Sequence, residues 1–185
     1  MASPFLYHVG ERLSLAELTA ARLDGDVVEL GEAYIPADAV ETRALRAGSL
    51  AALLGDSLAA THLTAAWIHG ALPDPPARHT VQRAVAKRLH RAPSRTLVYR
   101  DLAVDHDDLE LIGGVRVTTR LRTVVDLARI GDDAHARAAR LLADDDAGIV
   151  AAAIARLEAG VLPHKRKAVS LLRGVAAAQA AVRTT

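Results

Sequence analysis

His62 and His69 stand seven residues apart, a spacing that puts two imidazoles on one face of a helix. Two imidazoles are half of a metal site. A zinc centre needs further His, Cys or carboxylate ligands at matched spacing, and the chain has neither a H-E-x-x-H run nor any cysteine. His69 directly precedes Gly70, where an imidazole in the last turn of a helix gains from the dipole. The run Asp144-Asp145-Asp146 lacks the alternating acids and the glycine of a calcium loop, and reads as a solvated turn between helices. Gly48-Ser49 has the small residues that open a nucleotidyl-transfer site, but no strand with paired aspartates follows to hold two metals. Phosphate loops of the G-x-x-x-x-G-K type and G-x-S-x-G elbows are also missing. No spacing supports a nucleophile with its base and orienting group. These residues predict a non-enzyme without cofactor or metal.

The charged residues are more informative than the titrating ones. The formal net charge is only +1, but residues 1–60 hold nine acids against four Lys or Arg. From 75 to 100 the balance reverses: Arg78, Arg83, Lys87, Arg88, Arg91, Arg95 and Arg100 occur with no acid among them. Asp101 to Glu110 then supplies five acids in ten residues. Such a basic stretch can displace counterions from phosphate, or meet an acidic protein surface. Its bland alternative is internal pairing with the acids that follow it. Tyr99 is the one aromatic nearby, so stacking of single-stranded bases is disfavoured. Lys165, Arg166 and Lys167 form a second, shorter cationic cluster. Arg122 and Asp126, four apart, suit an i,i+4 ion pair at the start of a helix.

The elements that must position these residues follow from pattern and punctuation. Hydrophobic residues make up 51% of the chain but aromatics only 3%, so Ala, Val and Leu must build the core, as in layers of closely packed helices. Ser14 with Glu17 forms a capping box for a helix to about Leu23. Asp26–Leu30 and Ala33–Pro36 flank Gly31-Glu32 as a short hairpin. Ala39–Leu54 and Ser57–His69 read as helices, with Leu58, Leu63, Ala66 and Trp67 near one face of the second. His79–Val85 and Leu97–Arg100 alternate as strands, and Leu109–Ile112 with Val115–Thr118 surrounds the tight turn Gly113-Gly114. Thr118 or Thr119 caps a helix to Ile130, and Asp132–Leu142, Ile149–Ala159 and Lys165–Val182 are three more. The fold class predicted is α+β, mostly helical: a small mixed sheet with packed helices, preceded by a short helix-plus-hairpin unit resembling the tail of a winged helix. The expected division is 1–37 for that unit and 38–185 for the main domain. Met1–Gly10 has no signal-peptide character, and no stretch approaches the ~20 apolar residues of a membrane span. A soluble cytoplasmic protein is expected.

Several segments together resemble the AbiEi-type antitoxins of bacterial toxin–antitoxin pairs. They are THLTAAWIHGAL (Thr61–Leu72), the strand from His79 to Val85, LVYRDLA (Leu97–Ala103) and GGVRVTTRLRTVVDLAR (Gly113–Arg129). The last is the most specific, with its hydrophobic strand, Thr, then Arg-Thr-hydrophobic-hydrophobic-Asp-Leu-Ala. The resemblance spans roughly 57 to 130, and LPHKRKAVSLLRGV (Leu162–Val175) is similar to the family's helical tail. It implies an N-terminal winged helix that represses its own operon and a C-terminal domain that counteracts a co-encoded nucleotidyltransferase-like toxin. Here the N-terminal unit is short and its hairpin acidic (Asp24, Asp26, Glu29, Glu32), where the family's wing carries Arg. Longer relatives append a nuclease-like domain, which the resemblance does not extend to here. The expected function is thus an antitoxin-like regulator acting by recognition; the alternative is a DNA-binding transcriptional regulator that contacts operator DNA. In both, the basic stretch and Lys165–Lys167 would make the contacts.

Overall fold

Ser14 caps the first helix, α1 (Leu15–Asp24), in a closed capping box: its hydroxyl accepts from the Glu17 amide while Glu17 reaches back to the Ser14 N–H at 2.8 Å. Strands β1 (Val27–Leu30) and β2 (Ala33–Pro36) then form the expected hairpin. Tyr7 and Tyr34 exchange two backbone bonds of 2.9 Å, so the N-terminal segment adds a short rung to it. The computed structural model describes residues 4–89, 94–144, 146–160 and 163–182. Leu6, Leu30, Ala33 and Ile35 of this N-terminal unit bury in the same apolar cluster as Leu45, Leu50 and Trp67.

The next helix is shorter than its pattern suggests. Thr42 caps α2 (Arg43–Ser49), and the single turn α3 (Ala51–Leu54) follows a break at Leu50. A larger departure comes next. Ser57–His69 does not form one helix; it divides into β3 (Leu58–Ala60) and α4 (His62–Ile68). Ala and Leu favour helix locally, but β3 is the middle of the sheet and is buried on both faces, so pairing on both sides overrides a propensity of a few tenths of a kcal/mol per residue.

The five-stranded sheet runs β5 (Leu97–Ala103), β4 (His79–Arg83), β3, β7 (Val115–Thr118), β6 (Leu109–Ile112). It is mixed: β4 is antiparallel and β7 parallel to β3, β5 parallel to β4, and β6 antiparallel to β7. The β6–β7 turn uses Gly113 (φ 55°) and Gly114 (φ 83°), both left-handed as a two-residue hairpin demands. Gly113 is also held by contact, because a Cβ there would lie 2.2 Å from the Ala44 carbonyl oxygen of α2.

Thr119, Asp132 and Asp146 cap α5 (Arg120–Ile130), α6 (Asp133–Ala143) and α7 (Ala147–Ala159), each side chain accepting an amide three residues on. With α8 (Lys165–Val182) they build a second cluster around Val124, Leu127, Leu142, Leu157 and Leu172, filled in by alanines that let the helices approach closely. Helix α4 joins the two cores, with Trp67 and Ile68 in the first and Ala66 in the second. The architecture is α+β, with a five-stranded mixed sheet, packed helices and an N-terminal helix–hairpin unit. No helix among the described residues is long and apolar enough to cross a membrane.

Candidate functional site at the basic edge of the sheet

The fold sorts the cations of the basic stretch into two groups. Arg78 is structural: its guanidinium donates to the carbonyls of Ser94 (3.0 Å) and Leu97 (2.7 Å), fixing the entry to β5. Arg83 is buried, 2.9 Å from the Asp101 carboxylate, and donates to the Val85 and Ala86 carbonyls. Arg88, Lys87, Arg95 and Arg100 are exposed. Arg88 lies 3.4 Å from Asp101, whereas Lys87, Arg95 and Arg100 form no ion pair among the described residues. Arg91 lies outside the described residues. The exposed four are strung along and beside β5, an edge strand.

The acids that follow do not neutralise this group. Among the described residues, only Asp101 pairs with it. Glu110 lies 3.3 Å from Arg43 of α2. Asp108, 3% exposed, receives Arg122 at 2.6 Å and both terminal nitrogens of Arg156 at 2.5 and 2.6 Å. Burial alone would raise the Asp108 pKa, but the bonds from Arg156 and Arg122 hold it below the ordinary carboxylate value. Arg122 also makes the expected i,i+4 pair with Asp126 at 2.8 Å. Burial pushes the Asp126 pKa up, against the pull of Arg122 and Arg129. This chain of charges ties the turn before β6 to α5 and α7. The Arg122–Asp126 link was legible from spacing; Asp108 and Arg156, distant in sequence, offered no such signal.

The two histidines take separate partners. His62 opens α4 with a positive φ of 52°. Its ring contacts the Thr61 hydroxyl at 2.9 Å and meets the His135 ring edge-on. Burial, then the charge of Arg100, lowers its pKa to about 3. His69 Nε2 donates to the Thr118 carbonyl at 2.8 Å, which leaves Nδ1 to accept from Arg43 at 2.9 Å. Burial lowers its pKa despite Thr118 and Glu110. His69 is therefore a neutral bridge between α4, α2 and β7, and the dipole explanation, which needs an imidazolium, gives way to a hydrogen-bonding one. His79, beside Glu32 at 3.6 Å, is likewise lowered by burial.

Lys165 donates to the Gly160 carbonyl at 3.0 Å across the α7–α8 connection. Arg166 and Lys167 are exposed on the first turn of α8, on the helical layer and not on the sheet. A cavity of about 800 Å³ lies between the N-terminal segment and α2–α3. Phe5, Leu6, Val40 and Leu45 line it, together with His8 and Glu11. No group of three or more His, Asp or Glu able to hold a metal ion occurs among the described residues.

No known family model and no curated protein matches this chain. What the described residues offer is a charged, open strand edge. Arg22, the one cation of α1 before the hairpin, is 2.9 Å from Glu29. The α1–hairpin unit thus presents acids rather than phosphate-binding cations.

Proposed function

We propose that this protein is an antitoxin-like regulator that counteracts a nucleotidyltransferase-type toxin by recognition and not by catalysis. One observation carries the reading furthest. After Arg78 and Arg83 are spent on internal bonds, Lys87, Arg88, Arg95 and Arg100 remain exposed on β5 and on the segment that leads into it. The resemblance of Thr61–Leu72, Leu97–Ala103 and Gly113–Arg129 to AbiEi-type antitoxins supports the choice of partner, and these segments form α4, β5 and β7–α5 of one continuous unit.

Growth of cells expressing the product of the adjacent gene, with and without this protein, tests the proposal. Rescue is expected, and the combined Lys87→Glu, Arg95→Glu, Arg100→Glu variant should lose it while keeping the wild-type melting temperature. Persistent toxicity with wild-type protein would sink the reading. The same cations favour the second reading, a DNA-binding transcriptional regulator. That reading requires operator affinity that falls steeply with salt, by roughly one power of salt concentration for each phosphate neutralised. Binding that survives the three charge reversals removes it. In neither reading does the α1–hairpin unit supply the contact.

A further inference from the structure

The backbone of β5 carries more than its side chains. The His79 N–H donates to the Thr96 carbonyl at 2.7 Å, and the register pairs His79 with Leu97, Thr80 with Val98, Val81 with Tyr99 and Gln82 with Arg100. In a parallel ladder one residue turns both its N–H and its C=O toward the neighbouring strand, and the next turns both away. Thr96, Val98 and Arg100 thus face β4, while Leu97 and Tyr99 face outward; past Arg100 the register shifts, and Arg83 pairs with Ala103. Leu97 is already occupied: its N–H is 3.2 Å from the Ser94 hydroxyl and its carbonyl accepts from Arg78. The main-chain groups of Tyr99 and Asp101 have no such partner among the described residues. From Arg100 to Ala103 the strand is exposed.

Charge selects the occupant. The one acid on the strand, Asp101, is matched by Arg83 at 2.9 Å and Arg88 at 3.4 Å. Lys87, Arg95 and Arg100 remain to be matched. A second copy of this chain paired antiparallel about Arg100 would set that cation against itself, and like charges directly across a strand pair repel. An acidic strand is attracted by the same groups. Exposed edges are where extended peptides add to a sheet, with affinity from main-chain bonds and specificity from alternate side chains. We infer that β5 is the docking edge for an extended acidic segment of the protein partner, which joins the sheet beside Tyr99 and Asp101 as a sixth strand. This rests on the recognition function proposed above and names its mode.

The test uses the full chain, nitrogen-15 labelled, and an N-acetylated octapeptide alternating glutamate with valine. Binding should slow hydrogen exchange of the Tyr99 and Asp101 amides by about tenfold or more, since only paired amides are shielded. Asp101→Pro removes an N–H that has no backbone partner among the described residues and should weaken the peptide by at least about tenfold. Asp101→Ala, which keeps the N–H and removes the carboxylate, should bind at least as well as wild type. A peptide N-methylated at alternate residues, offered to wild-type protein, should fail to bind, and needs no variant to fold. Equal affinity for the N-methylated peptide, or no binding of the octapeptide even at low salt, overturns strand addition. The growth assay is separate: rescue by wild type alongside either result leaves the recognition function standing and removes only this mode. Loss of rescue removes the function itself.

Discussion

Asp108 shows how much a single carboxylate can hold. It closes a network in which Arg122 serves two acids and Arg156 reaches across from α7. Removing one member of a buried charge network leaves its partners without compensation, at a cost of roughly 3–5 kcal/mol. Arg156 keeps a side-chain exposure of 37% and can turn toward water, which places Asp108→Ala near ~3 kcal/mol, the lower end of that range. Urea denaturation of the variant checks this. The histidines set a pH dependence. His62, His69 and His79 all have pKa values lowered by burial, so below the ordinary imidazole value the unfolded chain binds more protons than the folded one. Stability is therefore full above about pH 6.5 and is lost as pH falls, for His62 down to its folded value of about 3. His62 contributes a slope of up to ~1.4 kcal/mol per pH unit in that window, and His69 and His79 add in the same direction. His62→Asn keeps a residue that tolerates the positive φ and removes one proton, so unfolding free energies between pH 7 and 5 should fall less steeply than in wild type.

At the scale of elements, the turns and caps were readable because their determinants are local. Gly113-Gly114 and Gly31-Glu32 announce their hairpins, and Ser14 and Thr119 announce their caps; Asp132, read as the first helical residue, and Asp146, read as part of a solvated turn, prove to be caps as well. Strand β3 was not readable, since Leu58-Ala59-Ala60 becomes a strand only through the partners on either side, Arg83–Val81 and Arg116–Val117. The basic stretch was legible as a cluster, but its division was not. Nothing in the order of residues tells Arg83, which is folded into the interior, from Arg88, which stays out. Gly113 offers a test at this scale. Gly113→Ala combines a strained positive φ with a collision against the Ala44 carbonyl backbone, two penalties of about 1–3 kcal/mol each. A drop in melting temperature is expected. Gly114→Ala, with open space around it, should suffer the strain alone and lose clearly less.

For the molecule as a whole, the decisive feature is that α4 belongs to both cores. Trp67, the single tryptophan, is fully buried in the sheet-side cluster, while its neighbour Ala66 packs in the helical one. Shared helices couple layers, so tryptophan fluorescence and far-ultraviolet circular dichroism should report one coincident thermal transition. Separate midpoints would show that the layers melt independently. Trp67→Ala, at a typical ~3–5 kcal/mol for a buried aromatic, should weaken both. The central strand adds a consequence for synthesis on the ribosome. Ala59 emerges early but completes its parallel pairing only with Arg116, much later in translation. Until that segment clears the exit tunnel the nascent chain carries the innermost strand of its sheet with one flank unfilled, a form that invites capture by chaperones. Slow codons placed soon after the segment encoding β7 and α5 would give that pairing time to close before the helical layer is added.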